Sequence, residues 1–376
     1  MEDKKKKKKK KKKVFASLST PEALRELILK QFPETAIYVG RDVPPIAGYF
    51  STGSLSVDLN AGKGIPRGRI TQYQGADGAF KTGLALHTIA RAQKAQRDFQ
   101  GLWIAAEPFE KEWAAYNGVD LDRLLILNPY EAEDAFDIAL FNMENNLIDL
   151  CVLDSVAALC PSDIVDKDTG QRHMGVDARV VGQFCKKTGP AWNRATAVHG
   201  EARTGLIVIN QVRDKLGSKG GPEGGGGRGL KHHKSLDLYF KRKDFITNNL
   251  TAAEKKIVFG ATTTVKLKKV KITGAKFWSV SSFDFYSKDC PDKNITAGTI
   301  DNAKDVRVWG CSYKLIEYKS KTKTRNPSFR ILLNDDDIGG DNIDEAKLNL
   351  DTYLRENDDV CMELESQIRE IVRSGS

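Results

Sequence analysis

Hydrophobic and polar positions divide the chain into segments with different periods. Between residues 50 and 285, short apolar runs alternate with stretches of helical spacing. The apolar runs are ITQYQG, GLWIAAE, LIDLCVLD and GLIVINQ, and helices are predicted for Lys81–Ala95 and for about Ala132–Asn146. Continuous apolar strands linked by helices are typical of a parallel sheet that is covered on both faces. We therefore predict a doubly wound α/β core with a mostly parallel sheet.

The region before this core has a different pattern. Apolar residues recur at helical spacing from Pro21 to Phe32, behind a candidate N-cap at Ser19 or Thr20. A short strand is predicted for Ala36–Val39. A helix and a strand of this size have no core of their own, so they must dock on the same body or on a neighbouring molecule.

The region after the core becomes polar and irregular from about residue 286. Amphipathic helices are predicted around Leu348–Glu356 and Met362–Val372, which indicates a small α+β unit. We therefore expect a lysine tail at 1–13, a helix–strand segment at 14–47, the α/β core at 48–285 and a small C-terminal domain at 286–376.

The formal net charge of +9 comes almost entirely from the lysine run at positions 4–13. Residues 14–376 carry 49 basic and 48 acidic side chains, which leaves +1. Nucleic-acid binding by the folded body must therefore depend on where individual Lys and Arg residues lie, not on bulk charge. The tail itself is predicted to be disordered, either as a solvated extension or as a nonspecific phosphate-binding arm.

Cysteine usage and hydropathy limit the compartment. The cysteines are far apart, and none forms a CxxC or Cys/His metal pattern. Apolar runs fall well short of the roughly 20 residues that cross a bilayer. We expect a soluble, cytoplasmic protein with no membrane partner.

One segment has the context of a GxxxxGK[ST] phosphate-binding loop, because it follows a predicted strand and opens a predicted helix. Phe80 stands at the second signature glycine, where its backbone must avoid the left-handed region or carry strain. Backbone N–H groups at a helix N-terminus can bind phosphate, Lys81 can reach the β- and γ-phosphates, and Thr82 can bind Mg²⁺. The candidate nucleotide-binding residues of this loop are Gly75, Ala76, Asp77, Gly78, Ala79, Phe80, Lys81 and Thr82.

Two further strands end in carboxylates. Asp154 ends LIDLCVLD, where a carboxylate can hold the Mg²⁺ shell through water. Glu107 ends GLWIAAE and could polarise an attacking water. Each residue taken alone is also compatible with an ordinary acid at a strand end. Because ligands bind at the carboxyl edge of open α/β sheets, the three strand ends together indicate an ATP site.

These motifs resemble the RecA family. Further matching segments are FSTGSLSVD at 50–58, GIPRGRI at 64–70, DSVAAL at 154–159, HMG at 173–175 and NQVR at 210–213. The resemblance is strong over about 20–285 and weak over 286–376. It implies a RecA-like P-loop ATPase core that uses ATP and Mg²⁺, with an N-terminal helix–strand polymerisation segment at 14–47 and a small α+β C-terminal domain. It also implies helical filaments on single-stranded DNA, pairing and strand exchange with homologous duplex DNA, and ATP hydrolysis that DNA stimulates.

The resemblance also implies roles for residues of the ATP site. Lys81 and Thr82 would bind phosphate and Mg²⁺, Glu107 would activate water, and Asp154 would support the metal with Ser155 beside it.

Other residues of the ATP machinery lie farther along the chain. Trp113 falls where the family places a tyrosine over the adenine ring, although a buried core tryptophan is the alternative. Gln211 matches a glutamine that senses the γ-phosphate and passes the signal into the following loop. Lys269 and Lys271 match lysines that reach across the filament interface to a neighbour's ATP. Without the resemblance, these lysines would be interpreted as a lysine-rich strand edge.

Two irregular segments, at about 161–175 and 214–230, match the family's DNA-binding loops. Met174 matches a side chain that wedges between base triplets, although a methionine at such a junction is otherwise usually a core plug. The second segment is rich in glycine and lacks a large apolar residue, so a passive linker is the alternative. Just after it, His232 replaces an aromatic associated with the subunit interface. The candidate DNA-binding residues are Met174, Arg179, Lys186, Arg213, Lys215, Gly226, Gly227 and Arg228.

Two other functions are compatible with these residues. Phe80 and the altered glycine-rich segment fit a nucleotide-dependent DNA-coating filament protein that hydrolyses little ATP. The same core also builds hexameric helicases.

Overall fold

The computed structural model describes residues 20–33, 37–165, 176–213, 223–224, 227–247, 257–321 and 325–374. Of the helices in these ranges, none is both long and apolar enough to span a bilayer.

The N-terminal segment is a helix followed by extended chain. Helix α1 (Pro21–Gln31) begins at Thr20, whose hydroxyl accepts a hydrogen bond from the Ala23 N–H. None of its 11 described residues is buried. Residues 37–39 belong to no strand of the described chain, so the strand predicted at Ala36–Val39 is wrong there, and Ala36 lies outside the described residues. The physical reason is that no other strand among the described residues lies beside them to complete a ladder.

A small layer leads into the core. The strands β1 (Tyr49–Phe50) and β2 (Ile65–Pro66) pair antiparallel, with the buried helix α2 (Leu55–Asn60) between them in sequence. The Ser54 hydroxyl accepts a hydrogen bond from Val57 N–H and starts α2.

Five parallel strands form the centre of the main sheet. They are β3 (Ile70–Gly75), β4 (Gly101–Ala105), β5 (Leu124–Leu127), β6 (Leu150–Asp154) and β7 (Gly205–Arg213). Their order across the sheet is β3-β7-β6-β4-β5, and each neighbouring pair is parallel. Parallel strands end at one edge, so the residues that end β3, β4 and β6 lie at the same side of the molecule.

Helices cover both faces of this sheet. They are α3 (Lys81–Ala95), α4 (Lys111–Tyr116), α5 (Ala132–Glu144), α6 (Ser162–Val165) and α7 (Val176–His199). Val152 packs into one hydrophobic cluster with Leu84 of α3, whereas the next residue, Leu153, packs into the other with Phe136 of α5. The predicted doubly wound core is confirmed.

The sheet continues as an antiparallel extension. After β8 (Glu223–Gly224) and α8 (Gly227–His233) come β9 (Leu236–Thr247), β10 (Val258–Val270), β11 (Val280–Tyr286) and β12 (Thr299–Asp301). Strand β9 lies parallel to β3 on one side and antiparallel to β10 on the other. The full order in the described residues is β12-β11-β10-β9-β3-β7-β6-β4-β5, and β8 pairs with β7.

The C-terminal part is a small α+β unit. It contains α9 (Ala303–Ser312), β13 (Ile316–Lys321), β14 (Arg325–Ile331), β15 (Asp337–Gly339), α10 (Ile343–Glu356) and α11 (Asp358–Ser374). Its hydrophobic cluster includes Leu55 and Leu59 of α2, and Arg369 of α11 forms an ion pair with the buried Asp58 at 2.9 Å. The unit is therefore docked firmly on the core. The boundary at residue 286 stays a prediction, and the last strand of the main sheet comes from the segment after it.

Candidate functional site

The phosphate-binding loop connects β3 to α3. Gly75 ends β3 against strand β9, where a Cβ atom would lie 2.4 Å from the carbonyl oxygen of Phe240. Gly78 has a φ of +68°, a conformation that glycine adopts without steric cost. The loop therefore needs its glycines for a close approach and a turn, as a phosphate-binding loop does.

The backbone of Phe80 has a left-handed conformation, which it was expected either to avoid or to adopt with strain. It caps the N-terminus of α3 with φ 64° and ψ 29°, and its side chain makes no capping hydrogen bond. The second of the two expected outcomes therefore holds, because a side chain with a Cβ carries strain in this conformation.

Lys81 is held at the start of the loop. Its Nζ atom donates to the carbonyl oxygens of Gly75, at 3.0 Å, and of Ala76, at 2.8 Å. The side chain is buried, and burial lowers the pKa of Lys81 although Asp77, Asp154 and Glu107 favour its charged form. The ammonium thus lies inside the loop, within reach of phosphates bound there.

Thr82 and Asp154 are brought together from α3 and β6. The Thr82 hydroxyl donates to Asp154 Oδ2 at 2.9 Å. Burial raises the pKa of Asp154 to about 6, and the neighbouring Glu107 adds to this effect. Asp154 makes no ion pair within the described ranges, so its buried carboxylate favours a cation.

This pair fits magnesium. Mg²⁺ prefers oxygen ligands, keeps several waters and is bound through one or two carboxylates plus substrate phosphates. The described residues contain no group of three or more His, Cys, Asp or Glu side chains that could hold a metal ion by themselves. Thr82 and Asp154 are therefore suited to an ion that shares its remaining ligands with water and nucleotide.

Glu107 lies beside the end of β6. The N–H groups of Ala106 and Glu107 both donate to the Asp154 carbonyl, at 2.9 and 3.3 Å. Glu107 Oε1 accepts from the Ser155 hydroxyl at 2.6 Å and from Gln211 Nε2 at 3.3 Å. The structure thus joins the ends of β4, β6 and β7 through one carboxylate oxygen.

Trp113 lies in a row of aromatic rings next to the loop. It stacks on Tyr116, with ring centroids 5.4 Å apart, and meets Phe285 edge-on at 6.0 Å. Phe285 in turn lies 3.8 Å from the ring of Phe80. Sequence reasoning missed Phe285 and its neighbour Phe283, because they lie on a strand far along the chain with no motif of their own.

Lys269 and Lys271 lie away from the loop of their own subunit. Lys269 of β10 pairs in register with Asp237 of β9, and Asp237 in turn pairs with Gln72 of β3. Gln72 lies near the middle of β3, whereas the loop begins at Gly75, the end of that strand. Both ammonium groups donate to the His232 carbonyl at the end of α8, Lys269 at 3.2 Å and Lys271 at 2.8 Å. Burial, with help from the nearby Lys271, lowers the pKa of Lys269 to about 8.

The two predicted DNA-binding segments are followed by helices that contact each other. At the crossing of α7 and α8, a Cβ on Gly229 would lie 2.4 Å from the Cα of Gly182. Arg179 and Lys186 of α7, with His232 and His233 of α8, line a cleft of about 560 Å³. Arg179 forms an ion pair with Asp163 of α6.

Several predicted DNA-binding residues cannot be placed in this way. Met174, Lys215 and Gly226 lie outside the described residues. Arg213 ends β7 and Arg228 lies in the first turn of α8, and the positions of their side chains are likewise outside the description. Gly227 begins α8 with a φ of +62°, in close approach to Ala178.

Comparison with known proteins agrees with this architecture. The family described as RecA N-terminal domain matches residues 21–288. The Protein RecA of Frankia casuarinae is 30% identical over 345 residues, which cover 91% of this chain and 89% of that protein. The Protein RecA of Heliobacterium modesticaldum is 31% identical over 322 residues, covering 85% and 82%. Because the family match runs from α1 through β11 and the relatives are covered over most of their length, the chain belongs to the RecA family.

Proposed function

We propose that this protein is an ATP-dependent homologous recombination protein that forms helical filaments on single-stranded DNA. It promotes pairing and strand exchange with homologous duplex DNA, and DNA stimulates its ATP hydrolysis. The observation that carries the proposal is the hydrogen bond from Gln211 to Glu107. It links the carboxylate suited to activate water with the strand that runs into the glycine-rich segment.

The ATP site supports hydrolysis. Lys81 and the loop N–H groups would bind the phosphates, and Thr82 and Asp154 would hold Mg²⁺, which neutralises phosphate charge when bound. Glu107 accepts a proton from water as the water oxygen bonds to the γ-phosphorus and the bond to the leaving ADP oxygen breaks. The Ser155 hydroxyl holds Glu107 in position for this step.

Gln211 supports coupling between ATP and DNA. Its amide can donate or accept, so it can exchange Glu107 for a phosphate oxygen without a change of charge. Strand β7 ends at Arg213, and the chain continues directly into the predicted DNA-binding segment. Binding of DNA to that segment would move the end of β7 and with it the partner of Glu107.

The cleft between α7 and α8 supports binding to a phosphate backbone. Arg179, Lys186 and two histidines line it, and all four side chains are exposed. Cations that contact phosphates bind without sequence preference, which suits a protein that must coat any single strand.

The N-terminal segment supports self-association. Leu24, Leu27 and Phe32 are 47%, 38% and 58% exposed, an apolar surface with no core of its own. At one edge of the main sheet, β5 pairs only with β4 in the described residues, and its Leu125 is 59% exposed. An unburied helix with extended chain and an open strand are two different surfaces, which suits head-to-tail assembly, and such assembly generates helical filaments when the rotation does not close.

Lys269 and Lys271 would act only in this assembly. Both lysines contact the exposed end of α8, which supports a role toward the ATP of a neighbouring subunit. Cations supplied in trans stabilise charge on the transferring phosphoryl group, so hydrolysis would depend on assembly.

The central experiment measures ATP hydrolysis with and without single-stranded DNA, together with electron microscopy of the complex. We expect a strong DNA stimulation and helical filaments. Glu107→Gln should slow hydrolysis about 100- to 10,000-fold while nucleotide and DNA binding remain. Glu110→Gln, at an exposed glutamate of the same connection, is the control. Loss of nucleotide binding in Glu107→Gln would contradict the assigned role.

A DNA-coating filament protein with little hydrolysis is the second candidate, favoured by the strained Phe80 in the loop. ATP turnover that Lys81→Ala abolishes would reject it. Closed rings and unwinding of a forked duplex would instead indicate a hexameric helicase.

A further inference from the structure

We propose that Phe80 and Gly83 form a matched pair that positions the phosphate loop against strand β11. The proposal rests on the ATP site proposed above and concerns how that site is held ready for nucleotide. Phe80 acts here as a positioning residue, because it supports the loop through the sheet.

The ring of Phe80 compensates for its unfavourable backbone. Its centroid lies 3.8 Å from that of Phe285 at an interplanar angle of 31°, and 5.8 Å from that of Phe283. Both partners are buried and lie at alternate positions of β11, so they project from the same face of the sheet. Aromatic contact and burial of this kind hold the residue in a conformation that its Cβ alone would disfavour.

Gly83 provides the space that this arrangement needs. A Cβ at Gly83 would lie 2.3 Å from Cε2 and 2.4 Å from Cζ of the Phe80 ring. The ring cannot retreat easily, since Phe285 stacks against it. Glycine is a poor residue for the first turns of a helix, and this contact explains why it stands here in α3.

The same rings connect the loop to the predicted adenine platform. Phe285 meets Trp113 edge-on, so the contacts run from Phe80 through Phe285 to Trp113. His87, one turn after Gly83, closes the cluster with its ring 6.1 Å from Phe80 and 5.9 Å from Phe285. The loop and the platform are therefore held relative to each other before nucleotide binds, which lowers the ordering cost of binding.

The first test is a stability cycle without nucleotide. Gly83→Ala is made in the natural chain and in a Phe80→Gly chain, and thermal unfolding is measured. We expect Gly83→Ala to lower Tm in the natural chain and to leave it unchanged or raise it in the Phe80→Gly chain, because the clash is gone and alanine is the better helix former. Gly182→Ala in α7, where the nearest heavy atom to the new Cβ is 3.8 Å away, is the control and should shift Tm equally in both chains.

An equal loss from Gly83→Ala in both backgrounds would overturn the pairing. If Phe80→Gly itself fails to fold, Phe80→Leu replaces it, because a smaller and flexible side chain also removes the ring from the position of the new Cβ.

The second test separates positioning from general packing. Phe285→Leu leaves the loop sequence intact and removes the aromatic contacts that Phe285 makes with Phe80, Trp113 and His87. We expect KM for ATP and Kd for a fluorescent N-methylanthraniloyl-ATP to rise about tenfold while kcat changes little, since the contact acts before the chemical step. A fall in kcat with KM unchanged would overturn the positioning role.

The outcomes distinguish a wrong matched pair from a wrong proposed function. If the natural chain binds no nucleotide, the ATP site is absent and the positioning role falls with it. If the natural chain binds and hydrolyses ATP but the stability cycle is additive, the ATP site stands and the matched pair is wrong.

Discussion

Two aspartates at opposite ends of strand β6 have opposite environments. Asp149, just before the strand, is fully buried and bound by Arg67 at 2.7 Å and by Arg203 at 2.6 Å. Asp154, at the other end, is 8% exposed and receives a hydrogen bond from the Thr82 hydroxyl. One carboxylate is fully neutralised by the protein, whereas the other is left to attract a cation.

The pKa values of the two groups follow from this difference. Burial would raise the pKa of Asp149, but hydrogen bonds from Arg203, the Gln100 N–H and Arg67 hold it below its ordinary value. Burial dominates at Asp154 and raises its pKa to about 6. A buried acid without an ion-pair partner is costly for folding, so its persistence at the carboxyl edge of the sheet indicates a functional role. This contrast fits an amino edge that supports stability and a carboxyl edge that supports the proposed ATP chemistry.

We expect the largest effect on stability from a substitution of Asp149, the carboxylate that the two arginines neutralise. Asp149→Asn leaves Arg67 and Arg203 without their shared carboxylate, and we expect the free energy of unfolding to fall by about 3 kcal/mol. Denaturant unfolding at neutral pH measures this. Nucleotide binding by the remaining folded protein should be unchanged, and a selective loss of nucleotide binding would contradict the division between the two edges.

The corresponding substitution of Asp154 should lower activity and leave stability intact. Asp154→Asn removes a carboxylate that has no ion-pair partner among the described residues. We expect Mg²⁺-dependent ATP hydrolysis to fall about 100-fold, the size of effect seen when a residue that supports a bound metal is lost. Stability in the absence of Mg²⁺ and nucleotide should not decrease. Hydrolysis rates and unfolding curves measured on the same preparation test both statements. A large loss of stability would show that Asp154, like Asp149, stabilises the fold.

The pH dependence of stability sharpens the comparison. A carboxyl group whose pKa is raised in the folded state stabilises the fold at low pH, and this contribution is lost as pH rises through about 6. We therefore expect the stability advantage of Asp154→Asn over the natural chain to grow between pH 4 and 6, by about 3 kcal/mol at most. Unfolding at a series of pH values measures it, and a flat difference across that range would argue against the buried, unpaired state.

The smallest effect concerns the lysines of the antiparallel extension. Because the pKa of Lys269 is lowered to about 8, we expect DNA-stimulated hydrolysis to decline above that pH as its charge is lost. Lys269→Arg keeps the charge at all these pH values and should extend activity to higher pH, whatever its absolute rate. The two pH profiles, each normalised to pH 7, are the measurement. Identical profiles would argue against a loss of charge at Lys269 in this pH range.

Much of the fold was predictable from local pattern. The bounds predicted for α3 match those observed, and Thr20 caps α1 as expected. These elements depend on periodicity and capping, which neighbouring residues in the sequence determine. The strand predicted at Ala36–Val39 is wrong over its described residues, because a strand needs a partner and the described part of the chain provides none there.

What the sequence by itself determined is the identity of the residues that meet at the carboxyl edge. Lys81, Glu107 and Asp154 each follow or end an apolar strand, and the ends of parallel strands lie at one side of the sheet. Their order along the chain was therefore enough to predict that they come together, whereas Gln211 was assigned from the resemblance to the RecA family.

Only the tertiary structure decided how this site is supported. Asp149 appeared to be part of an apolar run until Arg67 and Arg203 were found around it. Phe80 appeared to be a defect in the loop until Phe285 was found beneath its ring and Gly83 beside it. Burial and stacking join residues that are distant in the chain, and no local pattern records them.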